Sequence, residues 1–319
     1  MQTLYPAIKT YAQHTLAVDP PHVLYIEECG NPKGLPILIL HSGPGAGCEN
    51  YHRQFFDPSL YRMILFDQRG AGQSKPHAEL LNNHTQGLLS DIEAIRKYLD
   101  IQEWLLFGGA WGSALSLLYA ESYPECVMGM ILHGIFLARP KDITWFYQEG
   151  TKKVYPDYWE EFIQPIPKKE HSNILMAYHK RLTGKDEVAR MSAAKSFSLW
   201  QARCTSLQPH VNTIDHFADP YFAIGLATIE SHYFANRCFV EEDQILTDLK
   251  KIEKIPAFII HGRYDMVCPL ESAWELHQNW PASQLLIVRD AGHDVREPGI
   301  IDAIIFATQK MSKTPSPAC

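Results

Sequence analysis

Short runs of consecutive apolar residues, rich in β-branched side chains, recur along the chain between stretches with helical spacing. Residues 23–29 form the first run and stop at Gly30-Asn31-Pro32; residues 36–41 and 62–67 form the next two. Runs of this length without polar alternation suit strands buried on both faces, as in a parallel sheet. Residues 85–99 instead set Leu88, Leu89, Ile92, Ile95 and Leu99 between polar positions, the spacing of an amphipathic helix. A strand then runs into Gly108-Gly109, and residues 111–123 read as a helix closed by Pro124. Residues 126–132 predict a further strand. After a long gap, 256–261 and 284–289 resume the pattern, with helices at 270–280 and 299–311 and a polar, Pro-containing tail expected to be mobile. Strands alternating with helices predict an α/β fold with a doubly wound, mainly parallel sheet.

The interval 138–251 breaks this rhythm. It is rich in aromatics, among them Trp145, Phe146, Tyr147, Trp159, Phe197 and Trp200, and shows no clear buried strand. A helical cap inserted into the sheet domain is the expectation, dividing the chain into a core of residues 1–137 and 252–319 and a cap of residues 138–251. Such a cap would cover the C-terminal ends of the strands, where ligands bind in open α/β sheets. Most of its aromatics would then be core, and a few would line a pocket.

Composition narrows the classes. The 319 residues are 46% hydrophobic and 20% charged, ordinary globular values. A net charge of -7, from 29 basic and 36 acidic residues, supplies no basic footprint for nucleic acid or an anionic membrane. A small neutral or cationic ligand remains open. No apolar run approaches the roughly 18 to 20 residues of a membrane span, and the N-terminal residues carry no hydrophobic signal core. Seven cysteines, scattered and without a C-x-x-C pair, favour reduced thiols over a disulfide framework or a zinc site. The expectation is a cytoplasmic protein with no metal and no cofactor.

The chemistry-bearing stretch is Gly108-Gly109-Ala110-Trp111-Gly112, placed between a strand and a helix. Its glycine spacing is that of the nucleophile elbow G-x-S-x-G of α/β-hydrolases, where the turn is too sharp for neighbouring side chains. The central position holds Ala110, which cannot attack a carbonyl. Ser113, three positions along the helix, points elsewhere and is no substitute. The loop Ser42-Gly43-Pro44-Gly45 follows a buried strand, where this architecture places one oxyanion-hole amide; the other comes from the residue after the nucleophile. Those amides would be Gly43 and Trp111. Asp265 and His293 each fall just beyond a late strand, giving the chain order nucleophile, acid, histidine. His293 would then act as general base and acid, with Asp265 fixing its tautomer. Asp67 and Arg69 are expected to pair and brace the loop behind the site.

Taken with Cys29-Gly30-Asn31-Pro32, Asp67-Gln68-Arg69-Gly70-Ala71-Gly72-Gln73-Ser74, Gly134-Ile135-Phe136-Leu137, Glu230-Ser231-His232-Tyr233-Phe234 and Gly262-Arg263-Tyr264-Asp265, nearly the whole chain resembles the proline iminopeptidases. These are α/β-hydrolases that release N-terminal proline from peptides. The resemblance implies a triad completed by Asp265 and His293 and an oxyanion hole from Gly43 and Trp111. It also implies cap carboxylates that bind the substrate's free amine, with Glu230 matching one of them. Phe136, Tyr147, Phe234 and Cys268 become candidates for the wall around the proline ring.

The departures are as informative. Ser42 replaces a usual glycine, His133 stands where an arginine often precedes Gly-Ile-Phe-Leu, and Gln201 sits where the second amine-binding glutamate is usual. An amide at 201 is expected to weaken ammonium binding, and Ala110 to leave very low turnover. Three readings stay open: a serine replaced so that substrate remains bound, a natural non-catalytic descendant that binds peptides or another small ligand, and an esterase or amidase of different specificity. The sequence leaves the oligomeric state open.

Overall fold

The computed structural model describes residues 2–208 and 211–313; residues 314–319 of the tail, Cys319 included, lie outside them. Among the described residues one sheet has eight strands: β1 (Thr10–Ala17), β2 (Val23–Gly30), β3 (Leu35–Leu40), β4 (Tyr61–Asp67), β5 (Trp104–Ala110), β6 (Val127–Ile135), β7 (Ala257–Gly262) and β8 (Ser283–Val288). Their spatial order is β1-β2-β4-β3-β5-β6-β7-β8. β1 and β2 run antiparallel, as do β2 and β4, and every later pairing is parallel.

The unbroken apolar runs follow from burial on both faces. Leu38 and Leu40 of β3 pack with Leu106, Ala114 and Leu118 on one side, while Ile37 and Ile39 pack with Leu105, Phe107 and Ile304 on the other. Helices α1 (Thr85–Tyr98) and α2 (Trp111–Ser122) cover the first face. Between β6 and β7 the described residues contain no strand. They form α3 (Pro140–Thr144), α4 (Pro156–Ile163), α5 (Ile174–Leu182), α6 (Glu187–Thr205), α7 (Val211–Ala218), α8 (Pro220–Ala235) and α9 (Gln244–Asp248), with short 3-10 and π turns. The aromatics of this segment mostly fill its interior, where Phe162 stacks on Tyr178 and Trp200 at ring distances of 4.7 and 5.1 Å. Helices α10 (Leu270–Gln278) and α11 (Pro298–Met311) complete the chain.

Three features differ from the sequence expectation. β1 is an edge strand whose inward positions, Thr10, Ala12, His14 and Leu16, are only partly buried and only weakly apolar, so its alternation carries little hydrophobic signal. β6 continues three residues past Leu132, because His133 and Gly134 extend the strand beneath the site despite their polar or small character. Asp67 and Arg69 do not pair. Asp67 accepts the N–H groups of Cys48 and Gln73, both at 2.7 Å, whereas Arg69 forms two 2.7 Å bonds with Asp91 of α1. The Asp67 carboxylate is held by backbone N–H groups of the loops after β3 and β4, and the Arg69 guanidinium finds an equally buried carboxylate. No helix among the described residues is long and apolar enough to cross a membrane.

Candidate active site

β5 delivers Ala110 to the end of the sheet in a backbone conformation, φ 48 and ψ -117, that L side chains rarely adopt. The surrounding glycines impose it. A Cβ on Gly108 would lie 2.2 Å from the Gly112 carbonyl oxygen, and one on Gly112 would lie 2.2 Å from that of Leu40. The elbow is thus intact around a methyl group. Trp111 begins α2, so its N–H has no carbonyl one turn earlier in the helix to bond with. Its indole donates to Gln68 Oε1 at 2.8 Å, and the Gln68 N–H donates to His41 Nε2 at 3.1 Å, tying the helix start to the loop after β3. Ser113 donates to the Ala110 carbonyl at 2.7 Å and accepts the Phe136 N–H at 3.2 Å, which confirms its hydroxyl as a structural bridge.

Asp265, beyond β7, accepts the Val267 and Cys268 N–H groups at 3.0 and 2.8 Å on Oδ1 and lies 2.7 Å from His293 Nδ1 through Oδ2. Burial pushes the Asp265 carboxyl up, but the charge and hydrogen bond of His293 outweigh it and hold it below the usual carboxylate range. Burial likewise opposes the His293 imidazolium, yet the neighbouring Asp265 carboxylate raises its affinity for a proton. An imidazole bound through Nδ1 to a carboxylate retains Nε2 for proton transfer. The ring rests on Gly134, at φ +52, where a Cβ would lie 2.9 Å from His293 Cε1.

His261 closes the strand expected at 256–261 and has no site role in the sequence expectation. Its Nδ1 accepts the Ile135 N–H at 3.1 Å and its Nε2 donates to the Cys268 carbonyl at 2.8 Å, fixing a neutral tautomer that clamps the Asp265 turn to β6. The only sequence signal was a histidine closing an apolar strand four residues before Asp265.

Glu230 of α8 is buried, not an exposed helical charge. Its Oε1 accepts from the Tyr147 hydroxyl and from Gln201 Nε2 at 2.9 Å, and Gln201 also donates to the Tyr147 oxygen at 3.1 Å. Oε2 lies toward the loop after β3: a Cβ on Gly43 would be 3.2 Å from it. Burial pushes this carboxyl up to about 7, with the Tyr147 and Gln201 hydrogen bonds pulling the other way. Tyr147 stands on a π turn, Trp145–Glu149, and stacks on Phe197 at 5.0 Å. Phe234 lies between Phe136 and Tyr147, at ring distances of 5.6 and 5.8 Å.

A cavity of about 150 Å³ joins these groups. Gly43, Ala110, Trp111, Phe136, Tyr147, Gln201, Glu230, Phe234, Cys268 and His293 all line it, and Asp265 stands behind His293. Its wall also includes His133, which burial holds down to about 3 and therefore neutral. The mouth carries Glu49 and Arg296, which the sequence reading did not single out. Among the described residues no group of three or more His, Cys, Asp or Glu side chains is arranged to hold a metal.

A strained elbow, an adjacent Asp–His pair and a capped cavity define the α/β-hydrolase class. Residues 36–297 match the family described as alpha/beta hydrolase fold. The chain is 48% identical over 309 residues to a proline iminopeptidase of Xylella fastidiosa, covering 97% of this chain and 99% of that protein. It is 46% identical to a proline iminopeptidase of Arabidopsis thaliana, covering 97% and 82%. Among solved structures, an esterase from Rhodococcus superposes with a TM-score of 0.65 at 15% identity, covering 95% of this chain and 99% of that one, a likeness of fold alone. The chain belongs to the proline iminopeptidase family of α/β-hydrolases.

Proposed function

We propose that this chain binds peptides bearing an N-terminal proline and turns them over very slowly, because the nucleophile position is Ala110. One observation carries the reading: an oriented Asp265–His293 pair, a buried Glu230 and an aromatic wall converge on a cavity whose elbow presents only a methyl group. An ammonium entering a closed pocket loses its hydration and needs a fixed opposite charge, which Glu230 Oε2 supplies. The proline ring then packs against Phe136, Tyr147 and Phe234. With the amine so held, the scissile carbonyl meets the Gly43 and Trp111 N–H groups, and His293 Nε2 faces the departing amine. Acyl transfer stops there, since Ala110 has no oxygen to form the ester. Binding and the oxyanion hole alone leave roughly 10³ to 10⁴-fold acceleration over water.

Residues 138–251 act in this reading as the cap that supplies Tyr147, Gln201, Glu230 and Phe234. The free thiols of the six described cysteines support the expected cytoplasmic setting. The test is Ala110→Ser, assayed for proline release from proline-initiated peptides and for hydrolysis of a simple ester. Gain of proline release is expected. Efficient proline release by the unmodified chain would overturn the reading. Gain of ester hydrolysis alone would favour a second reading, an esterase or amidase, to which the neutral amide of Gln201 is suited.

A further inference from the structure

We propose that Arg296 is a carboxylate-recognition residue at the mouth of the cavity, and that the preferred ligands are peptides of two or three residues with a free C-terminus. The inference rests on the peptide-binding reading above and adds its length and end-group selectivity. Arg296 is the only Lys or Arg among the described residues lining the cavity. It lies three residues beyond His293, in a turn closed by the Glu297 N–H on the Asp294 carbonyl at 3.1 Å. We place the free carboxylate of a peptide whose leaving amine faces His293 at this turn, because Arg296 lines the same cavity. Each extended residue spans about 3.3 to 3.6 Å, so the C-terminus of a two- or three-residue ligand stays within about 4 to 7 Å of the scissile bond.

Two other carboxylates that line the cavity are already committed. Asp294 accepts the Ser206 hydroxyl at 2.8 Å and the Arg296 N–H at 2.9 Å, and Asp142 is bound by Arg139 Nε at 3.1 Å. Glu49 pairs with Arg296 Nη2, while Nη1 lies 3.7 Å from Asp294, beyond hydrogen-bond distance. A guanidinium has five donors in a planar fork, so these contacts leave capacity for a second carboxylate. The Arg296 and Glu49 side chains are 36% and 37% exposed, which makes their pair weak and exchangeable. Tyr51, 5.2 Å from the guanidinium, holds the cation in place. Glu49 follows the Gly43 loop and Arg296 follows His293, so a ligand carboxylate that displaces Glu49 from the guanidinium is seated where the two loops of the site meet.

The chain as it stands allows equilibrium measurement, because Ala110 prevents rapid turnover. Calorimetric titration with prolyl-alanine, its C-terminal amide and its N-acetyl derivative separates the two ideas. The free acid is expected to bind about three- to tenfold more tightly than the amide at low salt, with the difference shrinking in 0.5 M NaCl. Arg296→Met should equalise acid and amide, and Glu49→Gln should widen their gap by releasing the guanidinium. Equal binding of acid and amide, tighter binding of the amide, or a preference that survives Arg296→Met overturns the inference and leaves the amine reading standing. Undiminished binding of the N-acetyl peptide overturns the amine reading instead, while the acid–amide comparison still decides the role of Arg296. Absence of binding by all three overturns both.

Discussion

The pH dependence of peptide affinity tests how the buried carboxylate works. Glu230 titrates at about 7 in the free protein, because burial disfavours its charge by more than the Tyr147 and Gln201 hydrogen bonds recover. Only the ionised form can neutralise an ammonium, so the apparent dissociation constant is the intrinsic one divided by the ionised fraction. That fraction is about 3% at pH 5.5 and about 76% at pH 7.5, a ratio of about 25. An N-terminal amine with a pKa of about 8 remains about 76% protonated at pH 7.5, which reduces the net gain to about twentyfold. In free energy this is ~2 kcal/mol. Affinity should therefore rise about twentyfold from pH 5.5 to 7.5 and decline again as the amine loses its proton. Calorimetry in buffers of matched ionic strength reads the profile directly.

Two controls bind this prediction to Glu230. His133 and His41 are held down to about 3 and about 4 by burial and stay neutral throughout the window. His293 holds its proton more tightly than a free imidazole because of Asp265, and its imidazolium repels an ammonium. His293→Gln should keep most of the slope, whereas Glu230→Gln should flatten it and weaken binding at pH 7.5. A flat affinity profile in the unmodified chain, or an unchanged slope in Glu230→Gln, would refute the reasoning.

Three further perturbations follow from the same structure. Ala110→Gly relieves the positive-φ strain of the elbow and should stabilise the chain by about 1 kcal/mol in urea denaturation, with peptide affinity unchanged. Gly134→Ala places a methyl 2.9 Å from the His293 ring at φ +52; stability should fall by about 1 to 3 kcal/mol, and in an Ala110→Ser background kcat should fall more than KM rises. Glu121 of α2 is buried with neither carboxyl oxygen hydrogen-bonded, and burial together with Asp248 pushes it up to about 9 against a pull from Lys251. The folded chain then holds a proton that the unfolded chain releases above about 4.5, so stability falls as pH rises from there to about 9 and the full penalty persists above. Glu121→Met should flatten this dependence and add about 2 to 4 kcal/mol at pH 8, measured by urea midpoints across pH.

What the sequence made legible was set by local chemistry. Strands buried on both faces announce themselves as unbroken apolar runs, and the elbow announces itself through glycines that close contacts such as Gly112 against Leu40 require. Asp265 and His293 were legible because each terminates such a run. The edge strand β1 was not, because one side meets solvent and its inward face needs little apolar character. His261 was missed because its role is a pair of backbone contacts, to Ile135 and Cys268, that have no spacing rule. Glu49 and Arg296, 247 residues apart, are joined only by the fold. The mistaken Asp67–Arg69 pairing has the same origin: proximity in sequence suggested a partner, while burial supplied Asp91.

The state of Gln201 shows why one substitution changes the electrostatics of the whole pocket. A carboxylate at 201 would face Glu230 across a hydrogen-bond distance now occupied by an amide donor, 2.9 Å from Oε1. Two like charges at that separation share a proton or require a cation between them. The amide removes the repulsion, donates to Oε1 and commits that oxygen, which in the proposed reading leaves Oε2 to meet an entering amine. In the proposed amine-binding reading, the pocket thereby carries a single carboxylate that is already hydrogen-bonded and titrates near neutrality, in place of two. Gln201→Glu should reverse this. With both carboxyls buried, the pair should retain one proton at pH 7 in the empty site and release it when an ammonium binds. Peptide titration of Gln201→Glu should therefore show a proton release, read from the dependence of the heat on buffer ionisation enthalpy, that exceeds that of the unmodified chain, together with tighter binding. Equal proton linkage in the two proteins would place residue 201 outside the amine site and return the whole electrostatic role to Glu230.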